Sequence, residues 1–371
     1  MEGENSALGG EASSLVGNLQ TLARTAVLKQ MRNVSLLMAV VIAVTIVSAQ
    51  RPSYLSYNNF LIVGLQMSFV AIAALGTTAL IISGYIDLSI GSMFGLAAVV
   101  SGLLARDGWP TVLAILAAIA VTGAIGFLNG LVVWRISISP IIITLGSLTL
   151  IRGVVYLLTH GFAITGVPDS FGVFGRAKPL GVPMPVALFV VLAPVTAFIL
   201  SRTTVGRYIF AIGGNKEASQ ALGLPVRRLV LGTFLVNGLL VGLSAVLASS
   251  RFVGADPNFG VGMELDVITA VILGGVAFSG GEGGIGGVVL AVVLLGVINS
   301  GIISMGIDPY YANIVKGAVL IIAVAVDQLV HEQRERYQRN MAMREQREED
   351  RTTDTVGQSL STASAVEAAR E

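Results

Sequence analysis

Ionisable side chains are rare in the long apolar middle of this sequence, so each one is a candidate for chemistry. Asp87 stands in SGYIDLSIGSM, between two apolar stretches. A carboxylate in lipid costs about 3 kcal/mol on insertion scales, so Asp87 must lie at a helix end or in a polar interior. As an N-cap it would accept the amide of Ser89 or Ile90 and start the next helix. The same break, with Ser89 and Asn129, is also a candidate wall of a translocation path, because non-helical backbone at membrane depth must face protein or water. The two roles are compatible. Glu264 and Asp266, in GMELDVITA, open a helix and suit the positive end of its dipole; this structural role outweighs a proton relay. Arg152, Lys316 and Asp327 have no opposite charge at helical spacing. They read as snorkelling or interhelical ion-pair residues.

The stretch SGGEGGIGG, residues 279–287, invites comparison with a phosphate-binding loop. Such a loop needs Lys followed by Ser or Thr, the amine for the phosphates and the hydroxyl for magnesium. No Lys-Ser or Lys-Thr occurs in this sequence, and Lys216 is followed by Glu217. The glycines therefore read as a tight turn between packed helices, and no ATP site is expected. With no cysteine there is no thiolate ligand or Cys nucleophile, and the two histidines, His160 and His331, are far apart. No metal site is expected, and no paired nucleophile and base is visible for an enzyme.

The elements that carry these residues follow from composition. At 54% hydrophobic and 12% charged, with mean hydropathy +0.81, this is not a soluble globular domain. An apolar run of about twenty residues spans the hydrocarbon core as a helix. On that rule spans are expected near Val34–Ala49, Phe60–Ser83, Leu88–Ala105, Val112–Trp134, Pro140–Thr159, Met184–Leu200, Leu229–Ser249, Leu265–Ser279, Ile285–Ser304 and Ala312–Val330. The fold class is all-α, a polytopic membrane protein with about ten spans. One long polar interruption, Arg202 to Arg228, holds Arg202, Arg207, Lys216, Arg227 and Arg228 against a single acid, Glu217. Lys and Arg concentrate in cytoplasmic loops. Arg24, Lys29 and Arg32 precede the first span and an Arg-rich segment follows the last, so both termini and the 202–228 loop belong on the cytoplasmic side. Net charge is only +1 and segregated into tails and loop, which leaves no case for nucleic acid.

Inside that loop, Asn215 to Leu222 has helix-forming composition between Gly213-Gly214 and Gly223 with Pro225, so a short helix is expected on the cytoplasmic face. The longest outer loop, Thr159 to Pro183, is either a cap over the outer mouth or an ordinary connection. Gly123, Gly126, Gly130, Gly238 and Gly242 suit close helix packing in lipid. Two blocks, LGTTALIISGYIDLSIGSM from Leu75 and LGGVAFSGGEGGIGGVV from Leu273, are weakly similar, each a span interrupted by a turn. The domains expected are a cytoplasmic tail over residues 1–33, a membrane domain over 34–330, and a charged tail over 331–371. The first tail lacks the basic start and apolar run of a signal peptide. The second continues as a solvated helix and then loses periodicity.

Four motifs carry a resemblance. They are Gly84–Gly91 (G-x-IDLS-x-G), Ile138–Gly153 (ISPIIITLGSLTLIRG), Gly206–Val226 (GRYIFAIGGNKEASQALGLPV) and Glu264–Gly283 (ELDVITAVILGGVAFSGGEG). In that order they resemble the permease subunit of bacterial ABC sugar importers of the ribose/xylose/galactose type. Two departures stand out: Gly84-Tyr85 where the family has two glycines, and ISP where it has an apolar residue before Pro-Pro or Pro-Ala. The resemblance implies an inner-membrane homodimer enclosing one pathway, and a separate ATPase that uses the ATP. It also implies an extracytoplasmic sugar-binding protein that delivers the substrate. It makes the short cytoplasmic helix a coupling helix, with Gly213, Asn215, Glu217, Ala218, Ala221 and Gly223 at the matching positions. Two rival classes fit less well. A secondary solute carrier needs mid-span carboxylates, and an intramembrane enzyme needs a catalytic pair.

Overall fold

With no water to hydrogen-bond the backbone, apolar spans must satisfy their N–H and C=O groups internally, which helices do. The computed structural model describes residues 32–136 and 138–325 together with 328, 329 and 343. The two tails expected at 1–33 and 331–371 lie almost wholly outside the described residues, as do Asp327 and His331.

The described chain is helical. Helix α1 is Arg32–Gln50. A 3-10 turn at Pro52–Leu55 leads to α2 (Tyr57–Ile82), α3 (Ile90–Arg106), α4 (Thr111–Arg135) and α5 (Pro140–Thr159). Then come α6 (Asp169–Arg176), α7 (Met184–Arg202), α8 (Thr204–Gly214), α9 (Lys216–Ala221) and α10 (Val226–Phe252). Helices α11 (Met263–Leu273), α12 (Ile285–Ser304) and α13 (Tyr310–Ala325) complete it. The segment to Ile321 is one compact unit, and residues from Ile322 belong to a second.

Seven helices, α1, α2, α4, α5, α7, α10 and α12, are long and apolar enough to cross a membrane, and α3 and α13 are shorter apolar helices. Helix α11 corrects one of the expected spans. The run Leu265–Ser279 does not continue as a helix: α11 ends at Leu273, and Gly275, Gly280 and Gly281 follow at φ 78°, 86° and 75°. These left-handed conformations suit glycine and end a helix. At 11 residues α11 covers about 16 Å, half of a hydrocarbon core of about 30 Å.

Helix α10 is central, packing on α4, α2, α3 and α6. Its contact with α4 is as close as backbones allow. A Cβ on Gly126 would collide with the Phe234 carbonyl, one on Gly238 with the Thr122 carbonyl, and one on Gly242 with the Thr122 hydroxyl. Small residues thus do in lipid what hydrophobic burial does in water. The loop Thr159–Pro183 is more built than a plain connection. It contains α6, whose Phe171 is fully buried. Ser250 Oγ donates to the Phe171 carbonyl at 2.5 Å and accepts from the Gly175 amide at 2.7 Å. Ile164 and Ala255 form an antiparallel bridge beside it.

Candidate functional site

The polar loop folds as two helices where one was expected. Thr203 caps α8, its hydroxyl accepting the Gly206 amide at 3.2 Å. Asn215 then breaks the chain at φ −157° and caps α9, its Oδ1 accepting the Ala218 amide at 2.8 Å. Helix α9 closes with Leu224 N–H donating to Ser219 C=O at 3.1 Å and Gly223 at φ 77°. Ser219 faces inward, whereas Glu217, Ala218, Gln220 and Ala221 are exposed on one short surface. Helix α8 was missed because its TVGRYIFAIGG carries three glycines and β-branched residues, a weak intrinsic helix signal.

Where α8 ends, three chain breaks meet. A Cβ on Gly213 would collide with the carbonyl of Ile82, the last residue of α2, and with the amide of Gly281. That amide donates to the same Ile82 carbonyl at 2.8 Å. A Cβ on Gly280 would lie 2.9 Å from Cα of Gly84, and one on Gly281 2.8 Å from Cα of Gly214. The two similar blocks of the sequence are therefore neighbours. The interruption after α2 rests on the interruption after α11, and both rest on the end of α8. An apolar cluster surrounds this junction: Leu80, Tyr85, Val133, Ile212, Val226, Val230 and Phe234 are buried, with Trp134 and Leu224 packed against them. The ammonium of Lys216, first residue of α9, sits 5.6 Å from the ring centre of Tyr85 and 5.3 Å from that of Trp134.

Asp87, Ser89 and Asn129 come together one turn away. The Ser89 amide and hydroxyl donate to Asp87 Oδ1 at 2.8 and 2.6 Å, and Asn129 Nδ2 donates to Ser89 Oγ at 3.0 Å. Two residues that sequence reasoning did not single out complete the network. Asn237 of α10 donates to Asp87 Oδ2 at 3.4 Å and accepts from Thr77 of α2 at 3.0 Å. Asp87, Ser89, Asn237 and Thr77 are fully buried and Asn129 nearly so. Their signal was visible: a carboxamide and a hydroxyl inside apolar spans need partners. The network ties α2, α3, α4 and α10 across the break.

The remaining charges also have identified surroundings. Arg152 of α5 donates to the carbonyls of Pro257 at 2.7 Å, Phe259 at 3.1 Å and Gly91 at 2.9 Å. It thus satisfies irregular backbone between α10 and α11 where the membrane supplies no water. Lys316 of α13 pairs with Asp266 of α11 at 2.9 Å. A cavity of about 60 Å³ beside this pair is lined by Gln66, Met67, Val292 and Asn299, far below the roughly 300 Å³ of small-molecule sites. Among the described residues no group of three His, Asp or Glu is placed to hold a metal ion.

The described chain is that of a multi-pass helical membrane protein whose exposed polar loop abuts two interrupted spans. The family model described as branched-chain amino acid transport system / permease component matches residues 59–324, and the chain belongs to that permease family. It is 36% identical over 295 residues to the ribose import permease protein of Escherichia coli K12, covering 78% of this chain and 92% of that one. Over 291 residues it is 33% identical to the D-allose transport system permease protein of the same organism, covering 78% and 89%. It is also 33% identical over 303 residues to the galactose/methyl galactoside import permease protein of Haemophilus influenzae, covering 76% and 90%. It is the permease component of an ABC transporter and not itself an enzyme.

Proposed function

We propose that this chain forms the inner-membrane pathway of an ABC importer for a monosaccharide of the ribose, allose, arabinose or galactose kind. The sugar class is supported by the names of its relatives. The drive comes from a separate ATPase docked on α9, with Gly213, Asn215, Glu217, Ala218, Ala221 and Gly223 shaping the coupling surface. Two copies enclose the path, and an extracytoplasmic binding protein delivers the sugar. Both termini and the 202–228 loop face the cytoplasm, as their charge favours.

One observation carries the coupling role. The end of α8 is wedged by Gly213 against Ile82 and Gly281, so a push on the loop reaches both broken spans without a side chain in between. Alternating access then follows as rigid-body movement of the spans about these breaks. Asp87 and Ser89 belong to the wall of the path through the backbone of their break, and Asn129, on α4, braces that break through Ser89 Oγ.

The test is reconstitution of the permease, its ATPase and its binding protein in proteoliposomes. Uptake of labelled ribose, allose, arabinose and galactose is measured with and without ATP. Uptake of at least one sugar that requires both ATP and the binding protein is expected. Uptake driven by a cation gradient, with ATP irrelevant, would replace this reading by a secondary carrier.

A further inference from the structure

The coupling loop touches the Gly84–Ser89 break in two different ways. At Gly213 the contact is backbone against backbone. At Lys216 it is a cation over two aromatic faces, Tyr85 in the break and Trp134 near the end of α4. We propose that Lys216 is a positioning residue for transport: it fastens the first turn of α9 to Tyr85 and Trp134, so that movement of the coupling helix moves the break that holds Asp87. This rests on the coupling role proposed above for α9.

Three features support it. First, Tyr85 is buried, yet its hydroxyl has no hydrogen-bond partner among the described residues. Its ring is held by packing, with the Lys216 ammonium over its face, Phe234 edge-on at 6.1 Å and 64°, and the buried apolar cluster around it. A side chain held by packing follows what it packs against, where one anchored by directed bonds would resist. Second, both distances fall within the roughly 6 Å over which a cation is attracted to a ring face. Lys216 is exposed on α9, so it fastens the helix from its surface and leaves Glu217 and Ala218 free for a partner. Third, Tyr85 precedes Asp87 by two residues; Asp87 ties the break to α10 through Asn237, and Ser89, bonded to Asp87, ties it to α4 through Asn129. A displacement of Tyr85 is therefore passed on to α4 and α10 through the network around Asp87.

Deleting one cation from two ring faces without altering the fold should weaken transmission by about threefold to tenfold. Lys216→Met keeps the length of the stem and removes the charge, and Lys216→Arg restores a cation over the rings. Each is placed in the full transporter, permease with ATPase and binding protein, in proteoliposomes. Three quantities are read: co-purification of the ATPase, ATP hydrolysed, and the labelled monosaccharide that the wild type takes up. Lys216→Met is expected to keep the ATPase bound, while sugar moved per ATP falls about threefold to tenfold; Lys216→Arg recovers most of it. A second measurement addresses the contact itself. Trp134 becomes the only tryptophan of the permease in a Trp109→Phe background. Its emission in the purified permease should change with Lys216→Met and be retained with Lys216→Arg.

An unchanged sugar-to-ATP ratio, or an unchanged Trp134 emission, overturns the proposal. Loss of the ATPase from the Lys216→Met complex also overturns it, because Lys216 then belongs to the docking surface and not to transmission. A wild-type transporter with no ATP-driven uptake overturns the coupling reading itself. Wild-type uptake with an indifferent Lys216 sinks the present proposal alone.

Discussion

Arg152→Met tests the clearest structural role assigned to a membrane-buried charge. The guanidinium donates three hydrogen bonds, to Pro257, Phe259 and Gly91, and so joins α5, the start of α3 and the irregular stretch before α11. Bonds to a charged group are worth about 1.5–3 kcal/mol each in soluble proteins. Hydrogen bonds between membrane helices average nearer 0.6 kcal/mol, because the unfolded reference in lipid finds other partners. Three bonds on the lower scale sum to about 2 kcal/mol. On the upper scale they sum to about 4.5–9 kcal/mol, but losing the charge also relieves the desolvation of a half-buried cation. A destabilisation of about 2–4 kcal/mol is therefore expected for Arg152→Met, which preserves much of the apolar stem. Arg152→Lys should recover part of it, since an ammonium lacks the planar fork that reaches separated acceptors. The assay is reversible unfolding of the purified permease in mixed micelles, followed by helix signal. An Arg152→Met variant within about 0.5 kcal/mol of the wild type, a surface-substitution effect, would show that the carbonyls find other donors and refute the role given to Arg152.

Gly213→Ala places a methyl group on the Ile82 carbonyl and the Gly281 amide, neither of which can yield without moving a broken span. Membrane abundance should fall, or transport should be lost with the protein retained; normal abundance and uptake would disprove the wedge. Ala218→Arg, on the exposed face of α9, should leave insertion intact but prevent ATPase co-purification. An unpaired charge buried at a contact costs about 3 kcal/mol or more. Retained co-purification would place the docking surface elsewhere. A small tag inserted at Leu180, which is fully exposed in the loop after α6, should be labelled from outside intact cells. Labelling only after permeabilisation would invert the topology. Gly172 is unsuited to such a tag, because a Cβ there already lies 2.8 Å from Val253.

Local chemistry was enough to place most of the helices and the basic loop. Spans such as Pro140–Thr159 and Ile285–Ser304 coincide with the helices formed, because hydrophobic length and helix-starting residues are properties of a segment by itself. The bond from Ser89 N–H to Asp87 was legible for the same reason, since it spans only two residues, although Ser89 and not Asp87 is the N-cap of α3; Asn215, expected within the short helix, caps it instead. The glycines of α4 and α10 marked close packing, though not which helix each would meet.

What could not be read was every relation between segments distant in sequence. That α11 stops at Leu273 depends on left-handed glycines whose use is fixed only by the neighbouring break. Arg152 and Lys316 looked solitary because their partners lie 61 to 107 and 50 residues away. For the same reason Asn237 joined Asp87 across 150 residues, and Thr77 joined Asn237 across 160. A hydrogen bond or a backbone contact needs two groups within about 3 Å, and only the packing of helices against one another brings such distant groups together.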